Sequence, residues 1–359
     1  MTPFISKAPG RICLFGDHQD YLGLPVIACA INRYIQIKGS SNNTNLFKIS
    51  MPDLKLEFVL PLDKNDKPLK KGDHLEAVMK VVNRYGCIPD QGYDIEILGD
   101  LPINAGLSSS SAMVVAWVQW LLAKFGSYHE LSPTLIAKLA YEAEVLEQNS
   151  PGGKMDQYTS AIGGIIYLET DEESNFRKLE SELDSLIIGE SGIPKDTVGM
   201  LDDLKNKALT AISLIKSHNP KFDIHEADLT DYENYKEILP EPMRPYLFAA
   251  IMNHLITKQA LAEFQQKNPD NRKLGELINA HHEILRDILQ ITVPKIDAMV
   301  HAAIRAGAYG AKIVGSGGGG SIVAIAPEDK EDWIVSAMKE AGAIAAYPVN
   351  VANGAHIIK

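Results

Sequence analysis

A chain of 359 residues is too long for one ordinary core, and its 45% hydrophobic and 23% charged content belongs to a globular protein rather than a disordered or coiled-coil one. The formal charge of −11 speaks against a surface that gathers nucleic acid or anionic lipid, because counterion release needs clustered Lys and Arg. No apolar run reaches the roughly 20 residues of a membrane span, and Cys13, Cys29 and Cys87 are too scattered for a disulfide framework or zinc cluster.

The start of the chain carries no secretory pattern, so a cytoplasmic protein is expected, with monomer or homodimer left open. In chain order, Pro3 to Lys7, Ile12 to Phe15, Val26 to Lys38 and Phe47 to Leu60 read as strands, the last containing the alternating Leu54-Lys-Leu-Glu-Phe-Val-Leu60. His74 to Tyr85 has helical spacing and stops at Gly86, and Tyr93 to Leu98 returns to strand. Helices follow over Ser109 to Phe125 and Ser132 to Gln148, then a short helical segment to Ala161 and a strand from Ile165 to Leu168. The polar stretch Glu169 to Lys178 reads as a linker, giving expected domains of 1–180 and 181–359. A strand near Leu186 to Ile188 precedes five helices over Val198 to Ser217, Asp231 to Leu239, Met243 to Gln266, Lys273 to Leu289 and Val293 to Ala306. Strands at Gly310 to Val314, Ser321 to Ala326 and Ala345 to Val351 enclose a helix over Lys330 to Ala341, so the expected class is α+β.

Three stretches carry chemistry. Leu101-Pro-Ile-Asn-Ala-Gly-Leu-Ser-Ser-Ser-Ser-Ala112 opens into a helix, which suits a phosphate held by backbone N–H groups and the positive end of the dipole; it suits an over-supplied serine N-cap as well. Glu144 and Asp156, on either side of a Pro-Gly-Gly turn, can share a cavity, and a carboxylate with a hydroxyl is the usual protein part of a Mg²⁺ site completed by phosphate and water. Glu144 reads equally as a solvated helix residue. Arg11, Asp17, His18 and Asp20 gather at the end of an apolar strand, where they either read several hydroxyls or form a polar turn. Gly315-Ser-Gly-Gly-Gly-Gly320 matches G-x-G-x-x-G, yet a strand follows it, so the dinucleotide fingerprint fails. The H-R-D and D-F-G elements of protein kinases are absent too, as is a Walker A motif.

Taken in chain order, the stretches resemble the motifs of the GHMP kinase superfamily. Gly10-Arg-Ile-Cys-Leu-Phe-Gly-Asp-His-Gln-Asp-Tyr21 looks like the galactokinase signature G-R-V-N-L-I-G-E-H-T-D-Y, and the serine turn is similar to P-x-x-x-G-L-S-S-S-A. Gly153-Lys-Met-Asp-Gln157 resembles G-x-M-D-Q, and the glycine run after Val314 resembles the third family motif. The resemblance implies a two-domain fold, an N-terminal mixed-sheet and helix domain and a C-terminal helix-rich α/β sandwich, with the active site in the cleft between them. It implies an ATP-dependent sugar kinase acting on the anomeric hydroxyl of a free monosaccharide, with Mg²⁺ accompanying ATP. Asp156 and Arg11 would be catalytic, Ser110 and Glu144 would hold the metal, and Gly106, Leu107, Ser108, Ser109, Ser110 and Ser111 would wrap the nucleotide phosphates. Ser108 and Ser109 need only backbone and small side chains for this. Asp17, His18 and Asp20, with Gly317 and Gly318, would bind the sugar.

Asp17 stands where the signature has Glu, Gln19 where it has Thr and Cys13 where it has Asn, and an S-x-Y-x-x-R-R pattern after the aspartate is missing. These departures leave the sugar open, together with a same-fold kinase for another sugar derivative or for mevalonate, and a non-catalytic sugar and ATP sensor.

Overall fold

The computed structural model describes residues 4–62, 68–194 and 197–358; Pro3 of the first expected strand lies outside them. The first sheet holds β1 (Phe4–Phe15), β2 (Val26–Ser41), β3 (Leu46–Met51), β4 (Leu56–Pro61) and β5 (Tyr93–Gly99), with α1 (His74–Arg84) between the last two. Strand order is β12-β1-β2-β5-β3-β4, where β12 is His356–Ile358. The β3–β5 pair is parallel and its neighbours antiparallel, so the sheet is mixed as expected. β1 is a single strand rather than two segments, because a register shift at Pro9/Gly10 absorbs the break in pattern. The single apolar stretch read over Phe47 to Leu60 is a hairpin, turned by the short helical segment Pro52–Leu54.

Behind this sheet runs α2 (Ser109–Phe125), apolar around most of its circumference and therefore wrapped on every side. α3 (Pro133–Tyr141), capped by the Ser132 hydroxyl on the Leu135 N–H at 3.2 Å, and α4 (Met155–Ile162) cover it together with α1. Trp117 and Trp120 stack at 5.4 Å between centroids in that core, with Phe47 edge-on to both. β6 (Ile165–Leu168) pairs with β2, and β7 (Phe176–Lys178) pairs with β6 inside the stretch read as linker.

A second, antiparallel sheet has the order β11-β8-β10-β9, built from β8 (Ser185–Glu190), β9 (Gly310–Ile313), β10 (Ser321–Ala326) and β11 (Ala345–Val349). α8 (Asn271–Glu283), α9 (Pro294–Arg305) and α10 (Glu331–Glu340) pack on it. α5 (Thr197–His218), α6 (Leu229–Tyr235) and α7 (Arg244–Phe264) enclose a separate apolar cluster that also takes Leu24 from the first sheet's loop. The helix expected over Lys273 to Leu289 loosens at Ile284–Ile288 into a wider π turn. Among the described residues no helix is long and apolar enough to cross a membrane.

Candidate active site

β1 carries Arg11 to the centre of the molecule, where its guanidinium is nearly enclosed. Nε and Nη2 each donate to a different oxygen of Asp156 at 2.7 Å, and Nη1 donates to the Gly106 carbonyl at 2.6 Å. Burial alone would lower the Arg11 pKa, but the charge and hydrogen bonds of Asp156 outweigh it and leave it raised. The cation is permanent. Ser108 completes the cluster from the left-handed region, at φ 59°, which turns its hydroxyl to donate to Asp156 Oδ2 at 2.6 Å. α2 starts at the next residue, so its N-terminus points at the same place as the Arg11–Asp156 pair.

Two cavities of about 330 Å³ each meet here and share Arg11, Ser110 and Asp156. One is apolar, with Ile35, Met51, Leu54, Ile97, Ile103 and Met113 on its walls and Gly106, Ser108 and Ser109 at its inner end. A flat heteroaromatic base with phosphates directed at the α2 turn fits that distribution. The other is polar and takes Asp17, His18, Asp20, Glu144 and Ser111, closed by Gly152 and Gly153. Asp20 accepts the Tyr21 N–H at 2.9 Å, and its pKa is raised to about 6, first by burial and then by the charge of Asp156.

Glu144 sits on the π turn Glu142–Leu146 that prolongs α3, and Gln157 Nε2 donates to its Oε2 at 2.7 Å. Ser110 is exposed on the same cavity. Among the described residues no three His, Cys, Asp or Glu side chains converge on a metal position. The available donors are one hydroxyl and one carboxylate, hard oxygen ligands that fit a Mg²⁺ ion whose remaining positions belong to phosphate and water.

Several expected site residues stand elsewhere than the sequence suggested. Asp17 borders the polar cavity, but its carboxylate accepts Lys312 Nζ at 2.5 Å and the Gly315 N–H at 2.9 Å. Burial would raise its pKa; the Lys312 charge more than reverses this and lowers it to about 2. Leu107 buries its side chain in the core and meets the cluster only through its carbonyl, which accepts the Arg11 N–H at 3.2 Å. Gly317 and Gly318 turn away from the cavity onto Ile291: the Gly318 N–H donates to the Ile291 carbonyl at 2.7 Å, and Gly317, at φ 88°, leaves 2.6 Å between a built β-carbon and Ile291 Cβ. From that loop it is Gly315 and Ser316 that border the cavity. Gln19, whose replacement of Thr suggested a reshaped pocket, points instead to the Pro25 carbonyl and Thr257 on α7. Lys312 carried no signal in the sequence, since a lysine on a short strand reads as solvated.

The description "GHMP kinases N terminal domain" matches residues 73–164, "GHMP kinases C terminal" matches 258–344, and "Galactokinase galactose-binding signature" matches 1–40. A mevalonate kinase of Thermococcus sibiricus is 30% identical, covering 94% of this chain and 93% of that protein. A galactokinase of Haemophilus influenzae is 31% identical, covering 91% of this chain and 86% of the relative. The fold is that of the Lactococcus lactis galactokinase crystallised with galactose, at a TM-score of 0.85 over 99% of this chain and 95% of that one, with 21% identity. With an arginine-clamped aspartate at the mouth of a glycine-serine turn and family matches at both ends of the chain, the protein belongs to the GHMP kinases, ATP-dependent phosphotransferases that act on an alcohol group.

Proposed function

We propose that the chain transfers the γ-phosphoryl group of ATP to the anomeric hydroxyl of a free monosaccharide. The observation that carries this reading is the position of Asp156, held by Arg11 and Ser108 where a cavity with apolar walls meets one lined by carboxylates. Its side chain is 28% exposed while that of Arg11 is 5% exposed, so the carboxylate is the member of the pair offered to a ligand. A hydroxyl in the polar cavity donates to Asp156, which orients it and draws off its proton as the bond to phosphorus forms. Arg11 holds the carboxylate in place through its two hydrogen bonds, and the α2 N-terminus stabilises charge on the phosphates. Mg²⁺, bound with ATP by Ser110 and Glu144, would neutralise the phosphate oxygens.

The sugar reading is favoured over mevalonate by the carboxylates left over on the polar cavity: with Asp17 paired to Lys312 and Asp156 to Arg11, Asp20 and Glu144 stand against Lys71. An acceptor with its own carboxylate is repelled there, whereas a polyol finds acceptors. We place the protein in the cytoplasm on its three free, buried thiols. ADP release measured across neutral hexoses, pentoses, deoxy sugars, uronic acids, amino sugars, heptose phosphates and mevalonate tests the assignment. Sugar-dependent turnover with phosphate on the anomeric carbon supports it. Turnover with mevalonate alone, or sugar binding without ADP release, overturns it.

A further inference from the structure

At the far wall of the polar cavity the charges are already matched. Asp17 and Lys312 are buried in contact at 2.5 Å, Asp17 also takes the Gly315 N–H, and Lys312 Nζ donates onward to the Ile313 carbonyl at 2.9 Å. Behind them His281 is fully buried and stacked on Phe15 with centroids 6.4 Å apart. Burial first, then the Lys312 charge, pushes its pKa down to about 3, so it adds no cation. One anion and one cation cancel, and the wall offers no uncommitted charge.

Ser316 follows Gly315 on this wall and is 8% exposed, yet its buried Oγ has no hydrogen-bond partner. A buried hydroxyl in that condition is unfavourable, and a turn about χ1 moves it between staggered positions. Its complement is a group that both donates and accepts. A ligand carboxylate or phosphate would instead lie beside Asp17, whose cation is spoken for.

We infer that Ser316 is a specificity-determining residue that pairs with a neutral hydroxyl of the acceptor, on a wall held in place by Asp17 and Lys312, so that the substrate class is a neutral monosaccharide rather than a uronic acid or sugar phosphate. This rests on the sugar reading above. It also moves Asp17 from sugar ligand to positioning residue.

The test compares wild type, Ser316→Ala and Ser316→Thr with D-galactose, D-glucose, D-mannose, L-arabinose, the monodeoxy derivatives of the sugar accepted among them, D-galacturonate and galactose 6-phosphate. Binding is followed by calorimetry and turnover by ADP release. Expected is a neutral sugar preferred over both anions, with kcat/KM or affinity falling roughly tenfold in Ser316→Ala and retained in Ser316→Thr. One monodeoxy derivative should be handled equally by wild type and Ser316→Ala, because the hydroxyl it lacks is the one Ser316 meets. Preference for an anion, no binding of any neutral sugar, or a Ser316→Ala enzyme equal to wild type on every neutral sugar overturns the inference. Phosphate delivered to a carbon other than the anomeric one sinks the anomeric reading alone and leaves the Ser316 assignment standing.

Discussion

A β-carbon built on Gly153 would lie 2.1 Å from Asp20 Oδ2, so the Pro-Gly-Gly turn and the strand-end carboxylate fit together only because residue 153 has no side chain. Gly153→Ala must therefore displace Asp20. Displacing a substrate-facing group by about 1 Å costs roughly 100-fold in rate. The expected result is a loss of that order in kcat/KM for the acceptor with KM for ATP little changed, measured in steady-state assays varying each substrate in turn.

Asp156→Ala is expected to lower kcat by roughly 100-fold or more, the scale on which single preorganised groups act. Arg11→Lys keeps the charge but not the fork that meets both carboxylate oxygens, and it should lose most of the activity as well. Single-turnover phosphoryl transfer checks both; an active Arg11→Lys enzyme would show that charge alone suffices.

Ser110→Ala and Glu144→Gln should raise the Mg²⁺ concentration needed for half-maximal activity without weakening acceptor binding. A Mg²⁺ titration at fixed ATP, with calorimetric sugar binding in parallel, separates this from a general loss of structure. Equal Mg²⁺ requirements in all three proteins would remove both residues from the metal site.

Asp20, raised from 3.8 to about 6, predicts a pH effect. Below pH 6 its carboxyl is protonated and has fewer lone pairs to offer, so KM for the acceptor should fall between pH 5 and 7, with the inflection near 6 removed in Asp20→Asn. The stability effect has the opposite sense. The folded protein holds this proton more tightly than the unfolded chain, so the group favours the fold at low pH and that contribution is lost as pH rises from about 4 to about 6. Thermal melts of wild type and Asp20→Asn across that window measure the difference.

Lys312→Met strands a buried carboxylate and should cost about 3–5 kcal/mol of stability. Adding Asp17→Leu should recover much of it, since an apolar pair of similar volume replaces the ion pair. Denaturant melts of the single and double variants decide; a single variant as stable as wild type would mean that water reaches Asp17.

The sequence exposed the site's chain positions better than their partners. Arg11, Ser110, Asp20 and Asp156 were legible because each lies in a short motif of recognisable spacing, and Glu144 because it comes late in a helix just before the Pro-Gly-Gly turn that leads to Asp156. What motifs omit is which side chain meets which across the fold. Asp17 looked like its neighbours Asp20 and His18, yet a lysine 295 residues away claims it. Ser108 looked like a small loop residue, and its left-handed backbone turns it into a partner of Asp156. Helices of the second half were readable from their periodicity, whereas β7 and β12, three residues each, lack the length for an alternating pattern.

β12 pairs residues 356–358 with residues 5–7 of β1. During synthesis β1 emerges first and this flank of it stays open until residue 358 leaves the ribosome. Until β12 is made, that flank of β1 is a bare strand edge, and a chaperone or a neighbouring nascent chain competes for the position β12 later fills.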